Sequence, residues 1–261
     1  MAVLSSPAAN QTRALCELTA APDYFARVSE VVLKIEAAAD TATLVDLLHQ
    51  AAQAIGADVA FFVCFLRDGD CESFRFLLAC DPQWCVDYER LAWYADDPWL
   101  AYAKRHAEPI RASEINLSGE SESAVVPLAE RCGFRSTVIV PAPASGGLSR
   151  LGMLCLGSHM PGFYEDEGFG SFKVMAQPLA NAFHEGCIRS VREEIRRHWQ
   201  INPEELTLLS CELKGMRTKQ IAKLLGISTA SIDSHFQRVN VKLGVLNRKA
   251  AARLAAEYGL I

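Results

Sequence analysis

A chain of 261 residues that is 50% hydrophobic and 22% charged can bury a full core, which excludes disorder throughout and leaves room for one large domain or two unequal ones. Its net charge of −5 hides an asymmetry, because residues 190–261 carry 12 Lys/Arg against 7 Asp/Glu while residues 1–189 carry 14 against 24. A basic end of +5 on an acidic body of −10 points any polyanionic partner to the C-terminal part, although a solvated helical face carries similar charge.

Residues 1–20 mix Ser, Pro, Ala, Asn and Gln and lack the basic start and apolar run of a secretory signal, so they are expected to form a loose extension. Nowhere do 18 apolar residues run together without a charge, so no membrane partner is expected and the chain reads as cytoplasmic. The nine cysteines are an odd count, and several, such as Cys64 and Cys155, sit inside apolar runs, as reduced core thiols do. No CxxC pair occurs and no His stands at a zinc-ligand spacing from a Cys, so neither a metal nor a cofactor is expected.

Between residues 23 and 55, Tyr24, Phe25, Val28, Val31, Val32 and Ile35, then Leu44, Leu47, Leu48, Ala51 and Ile55, recur at helical spacing and predict two amphipathic helices. Residues 59–66 and 74–79 are β-prone runs joined by Arg67-Asp68-Gly69-Asp70, and an Asp-Gly turn between apolar runs reads as a hairpin. Helical segments follow at 84–94, 98–106 and 123–131. Two further strands, 137–140 and 151–156, flank a Pro/Gly-rich connection at 141–147, and a long helix from 165 to about 188 closes the domain. Strands apolar on both faces need cover on both sides. The fold expected over residues 21–188 is therefore α/β, a three-layer α/β/α sandwich around an antiparallel sheet, with space for a cavity between sheet and helices. Residues 189–200 (RSVREEIRRHWQ) are heavily charged, with Val191, Ile195 and Trp199 four apart, and read as a linker of helical character.

Residues 201–261 read as an all-α, four-helix domain. Pro203 follows Asn202 as a candidate N-cap, Lys214-Gly215 ends that helix, and residues 218–225 form the next. Gly226-Ile227-Ser228 is a tight turn, Ser228 or Thr229 caps a third helix ending at Gly244, and residues 249–258 form the last. A helix, a three-residue turn and a second helix with outward polar groups make a helix-turn-helix, whose second helix fits the major groove.

Pro203-Glu205-Leu208-Leu209, Gly215, Ile221-Ala222, Leu225-Gly226-Ile227-Ser228, Ser231-Ile232, His235, Lys242-Leu243-Gly244-Val245 and Asn247-Arg248-Ala251 resemble, in order and register, the LuxR-type helix-turn-helix. The resemblance implies a transcription factor that forms a homodimer through its last helix and binds double-stranded DNA at a near-palindromic operator. It implies base reading by Asp233, Ser234 and Gln237, with phosphate held by Lys219, Arg238, Lys242 and Arg248. Asp233 stands where the family usually carries Lys or Arg. A carboxylate there repels phosphate and accepts only from a cytosine amino group, while Gln237 suits adenine. The alternative leaves Asp233 as a solvated residue on a helix that binds through its backbone contacts.

The stretch Trp84-x3-Tyr88-x8-Asp97-Pro98 resembles the pocket signature of the LuxR-family autoinducer-binding domain. It implies an N-acyl-homoserine lactone receptor in which Trp84 donates its indole N–H to the lactone carbonyl, an ionised Asp97 accepts the acyl amide N–H, and Tyr88 meets the acyl carbonyl. Thr137 and Cys155 would line the pocket from the strands. Three positions depart from the pattern: Ala112 replaces a second aromatic, Thr137 a glycine, and Cys155 a frequent Ser or Thr. Without the resemblance the aromatics read as core and Asp97 as the cap of a helix starting at Pro98. Three functions stay open: a quorum-sensing regulator answering a lactone or similar signal, an orphan regulator needing no lactone, and an inhibitory heterodimer partner of related regulators. No glycine-rich phosphate loop, HExxH pair or GxSxG elbow occurs, so catalytic residues are not expected.

Overall fold

The computed structural model describes residues 13–68, 71–90, 97–117, 120–144 and 149–261. Within residues 1–20, expected as a loose extension, Leu15–Thr19 is instead a short helix, α1. Leu15 and Leu18 are buried, and a Cβ on Gly168 would stand 2.7 Å from the backbone of Leu15 and Cys16. Glycine at 168 is what lets this segment dock.

The two expected amphipathic helices form as α2 (Tyr24–Ala37) and α3 (Thr41–Ile55). Tyr24, Val28, Val31 and Ile35 make the buried stripe of α2, and Leu44, Leu47, Leu48, Ala51 and Ile55 that of α3. Asp40 starts α3 by accepting the Thr43 N–H at 2.8 Å, and Gly56 at φ +91° ends it.

Five antiparallel strands follow in the spatial order β2-β1-β5-β4-β3: β1 (Val59–Asp68), β2 (Cys71–Ala79), β3 (Ile110–Arg111), β4 (Ser136–Pro143) and β5 (Ser149–Ser158). The hairpin of β1 and β2 runs from Ala60↔Ala79 to Asp68↔Cys71, while residues 69–70 of its turn lie outside the described residues. The two-residue β3, which pairs Ile110 with Ile139 at the edge, was not expected, because so short a strand carries no alternation to read.

Between the strands lie α4 (Gln83–Arg90), α5 (Pro98–Ala103) and α6 (Glu120–Arg131). They cover the sheet face that carries Phe61, Val63, Ile139, Met153 and Cys155. On the opposite face, Phe62 packs against Phe183 of α7 (Phe169–His198), and Gly186 of α7 lies against Leu44 and Ile35. The α/β/α sandwich follows, and β1 is apolar at every position from 59 to 66 because it is central and covered on both sides. Residues 91–94 of the expected helix 84–94 lie outside the described residues. The final helix, expected to stop near 188, continues to His198 and takes in most of the expected linker.

The chain divides into two compact units, one closing at Cys187 and the other running from Ile188 to Ile261. The second holds α8 (Pro203–Leu213), α9 (Thr218–Leu225), α10 (Thr229–Leu243) and α11 (Arg248–Glu257) around a core that includes Leu209, Ile221, Ile232, Val239 and Ala251. Gly226, at φ +69°, ends α9, and Ser228 then starts α10 by accepting the Ser231 N–H at 3.1 Å.

Candidate functional site

Trp84 and Tyr88 stand four apart on α4 and so share one helix face, turned into the core beneath β1 and β5. Asp97 caps α5: its Oδ1 accepts the Trp99 N–H at 2.8 Å, and its Oδ2 accepts the Tyr88 hydroxyl at 2.7 Å. The cap and the pocket acceptor are thus one residue. Burial pushes the Asp97 carboxyl above the usual carboxylate range, against the pull of the Tyr88 hydroxyl and the Trp99 N–H. Burial, then the facing Asp97, likewise raises Tyr88 above the ordinary phenol range. Tyr88 has therefore committed its proton to Asp97 and presents only oxygen lone pairs elsewhere.

Trp84 is fully buried. Its indole stacks on Phe61 at 5.3 Å and on Trp99 at 6.0 Å between ring centroids, with Tyr88 at 5.8 Å and Phe134 at 5.9 Å. Among the described residues nothing accepts its Nε1–H. An unpaired buried donor costs about 1–3 kcal/mol, so this is the one member of the cluster whose chemistry is incomplete. Phe61, Trp99 and Phe134 were not picked out as site residues from the sequence. Trp99, two residues past Asp97, carried a signal; Phe61 sits inside the apolar run 59–66, which does not say which face it turns to, and Phe134 is an isolated apolar residue until the sheet assembles.

Cys155 joins the same buried core, and burial pushes its thiol well up, leaving a weak, neutral hydrogen-bonding group. The Thr137 hydroxyl donates to the Phe134 carbonyl at 3.2 Å, and Thr137 borders a cavity of about 270 Å³ that Trp99 and Phe134 also line. A wider, more open groove of about 640 Å³, reaching Glu108, Gln177 and His184, includes none of the expected ligand residues.

In the second unit, Ile232, Phe236, Val239 and Leu243 turn α10 inward and leave Asp233, Ser234, Gln237 and Arg238 exposed. Val241, 82% exposed one turn past Gln237, lies on the same outer face and was missed in the sequence because Val there reads as core. Lys219 is exposed on α9. The other two expected phosphate clamps are engaged inside the domain. Lys242 Nζ donates to both carboxylate oxygens of buried Glu205, at 2.7 and 2.8 Å, and to the Gln200 carbonyl at 2.8 Å. Arg248 bonds Thr218 Oγ1 at 2.9 Å and pairs with buried Glu212 at 3.2 Å.

A buried, aromatic-lined polar pair in an α/β/α sandwich, joined in one chain to a helix-turn-helix with an exposed polar face, defines a two-part DNA-binding regulator. The family model of the autoinducer binding domain matches residues 40–186, and that of the bacterial regulatory proteins of the luxR family matches residues 202–255. The chain belongs to the luxR family and is a signal-responsive transcriptional regulator. No curated protein sequence matches it significantly. Among solved structures, its fold is similar to that of SdiA from Escherichia coli (TM-score 0.60, 17% identity, covering 92% of this chain and 99% of SdiA). It is similar as well to SdiA in complex with octanoyl-rac-glycerol (TM-score 0.58, 15% identity, 91% and 96% covered). A third similar structure is CepR2, an N-acylhomoserine lactone dependent LuxR family transcription factor from Burkholderia cenocepacia (TM-score 0.54, 13% identity, 64% and 97% covered). No helix among the described residues is long and apolar enough to cross a membrane.

Proposed function

We propose that the first unit binds an N-acyl-homoserine lactone, or a similar small signal with an acyl carbonyl, and that binding stabilises a cytoplasmic homodimer that grips a near-palindromic operator. The Trp84 Nε1–H, which has no acceptor among the described residues, carries this reading. A ligand carbonyl arriving there removes the cost of a buried orphan donor, and Asp97 keeps lone pairs beyond those that Tyr88 and Trp99 occupy to accept an amide N–H. Because the ligand completes the native core and nothing comparable exists in the unfolded chain, stability rises with its concentration, by about 2.7 kcal/mol at a hundredfold excess over Kd.

On DNA, α10 enters the major groove. Gln237 pairs with adenine, Asp233 accepts from a cytosine amino group, Ser234 adapts to either neighbour, and exposed Val241 meets a thymine methyl. Lys219 and Arg238 hold phosphate, and Lys242 and Arg248 support the helices from within.

The test is the thermal midpoint of the protein, expressed with no lactone source, against acyl-homoserine lactones of varied chain length and octanoyl-glycerol. A concentration-dependent rise that disappears in Trp84→Phe is the expected result. The variant loses the donor yet keeps a ring in the stack, so it should fold and melt within about 1–2 kcal/mol of the parent, lost volume offsetting the removed orphan. No shift from folded, dimeric protein would remove the lactone and leave a regulator that acts without one, which the closed packing of Phe61, Trp99 and Phe134 around Trp84 favours as the second reading.

A further inference from the structure

The rings of Trp99 and Phe134 that close the Trp84 cluster also form the wall of the neighbouring cavity of about 270 Å³. Ala112 and Ala129 contribute only methyl groups to its lining, and buried Thr137, on the sheet face that carries Ile139, supplies a hydroxyl. Its bonding defines what it still offers: Thr137 has given its proton to the Phe134 carbonyl and keeps its lone pairs as an acceptor.

Charge on the lining is balanced. Arg135 and Glu130 both border the cavity, and neither side chain has an ion-pair partner among the described residues. Glu165 accepts from Ser113 at 2.6 Å and is paired with Arg111 at 3.5 Å. Opposite signs of this kind select neither an anion nor a cation. The volume lies at the lower end of small-molecule pockets, so a ring system of one or two rings fits and a long chain does not.

We propose that this cavity binds a small neutral aromatic molecule carrying a hydroxyl group, whose ring takes the space that a large side chain at Ala112 would fill. The aromatic face packs on Trp99 and Phe134, and its hydroxyl donates to Thr137 Oγ1. This inference rests on the reading of the first unit as a signal receptor, but needs neither a lactone nor the Trp84 hydrogen bond.

Equilibrium dialysis of the full chain against 2-naphthol, neutral near pH 7, and against its saturated counterpart trans-2-decalol tests it. The expected result is 2-naphthol binding at least about tenfold tighter than decalol and weakened about tenfold or more by Ala112→Trp. Should Ala112→Trp fail to fold by circular dichroism, Ala112→Leu, a smaller filler, decides. Equal retention of the two probes, no retention of 2-naphthol by folded protein, or unweakened binding in the filled variants would each overturn it. A lactone shift without naphthol binding sinks this inference alone, and naphthol binding without a lactone shift sinks the lactone alone.

Discussion

His184 shows how one buried side chain ties stability to pH. It is buried on α7 with Nε2 2.7 Å from Ser149 Oγ, and its ring lies where a Cβ on Gly152 would collide. Burial holds its pKa below the ordinary imidazole value, and the neighbouring Glu185 opposes this with a weaker upward pull. The folded state therefore keeps His184 neutral at a pH where the unfolded chain already protonates it. Stability is full above about pH 6.5 and is lost as pH falls below that value, by at most about 1.4 kcal/mol per pH unit. Melting at pH 7.5 and 5.5 should show the drop, and His184→Gln should flatten it; an equal slope in the variant would assign the effect elsewhere. Residue identity alone could not reveal this, because His184 resembles the exposed histidines until α7 packs its ring against β5. Trp84 is the reverse case. The resemblance singled it out with Tyr88 and Asp97, but only the assembled core shows that its donor has no acceptor among the described residues.

At the scale of elements, the most informative difference from expectation concerns Lys242. Its position near the end of α10 suits a phosphate contact, yet Glu205, in a capping box with Asn202 at the start of α8, captures it. The pair ties α8 to α10, and removing one partner of a buried pair costs about 3–5 kcal/mol, less where, as with Lys242, one member reaches solvent. Lys242→Ala should therefore lower the melting temperature of the second unit while leaving the salt slope of DNA binding unchanged. Lys219→Ala and Arg238→Ala should do the opposite, each reducing the slope by about 1 at unchanged stability. A reduced slope in Lys242→Ala would restore it to the interface. Elements themselves were read well where a cap or period marked them: the apolar period marks α2 and α3, Asn202 starts α8, and Gly226 and Ser228 set the turn before α10. Three were missed or misread, α1 in the expected loose extension among them. The two-residue β3 is defined only by its partner Ile139, and α7 runs past residue 188 because charged side chains are good helix formers in an exposed turn.

For the whole molecule, the uneven charge makes the C-terminal unit the basic one, and the proposed DNA contact by Asp233 is testable against it. A carboxylate on the exposed face of α10 opposes the phosphate field of a unit whose sequence is otherwise basic. Asp233→Asn should raise affinity for random DNA several-fold at fixed salt and erase about 1–3 kcal/mol of discrimination at one base pair. Fluorescence anisotropy on operator and random duplexes measures both. Unchanged affinity and specificity would make Asp233 a solvated bystander.

The sequence by itself determined the two-part organisation, the α/β/α class and the helix-turn-helix, and its resemblance to the autoinducer-binding signature singled out Trp84, Tyr88 and Asp97, which the fold brings together. The first three follow from local signals: period, caps and turn residues. What only the tertiary structure decided is which polar groups already have partners. Tyr88 spends its proton on Asp97, Lys242 its charge on Glu205, and Thr137 its hydroxyl on Phe134, while the Trp84 donor finds no acceptor among the described residues. Hydrogen bonding is short-ranged and directional, so a group's remaining capacity depends on neighbours brought from distant parts of the chain, and no local pattern encodes it.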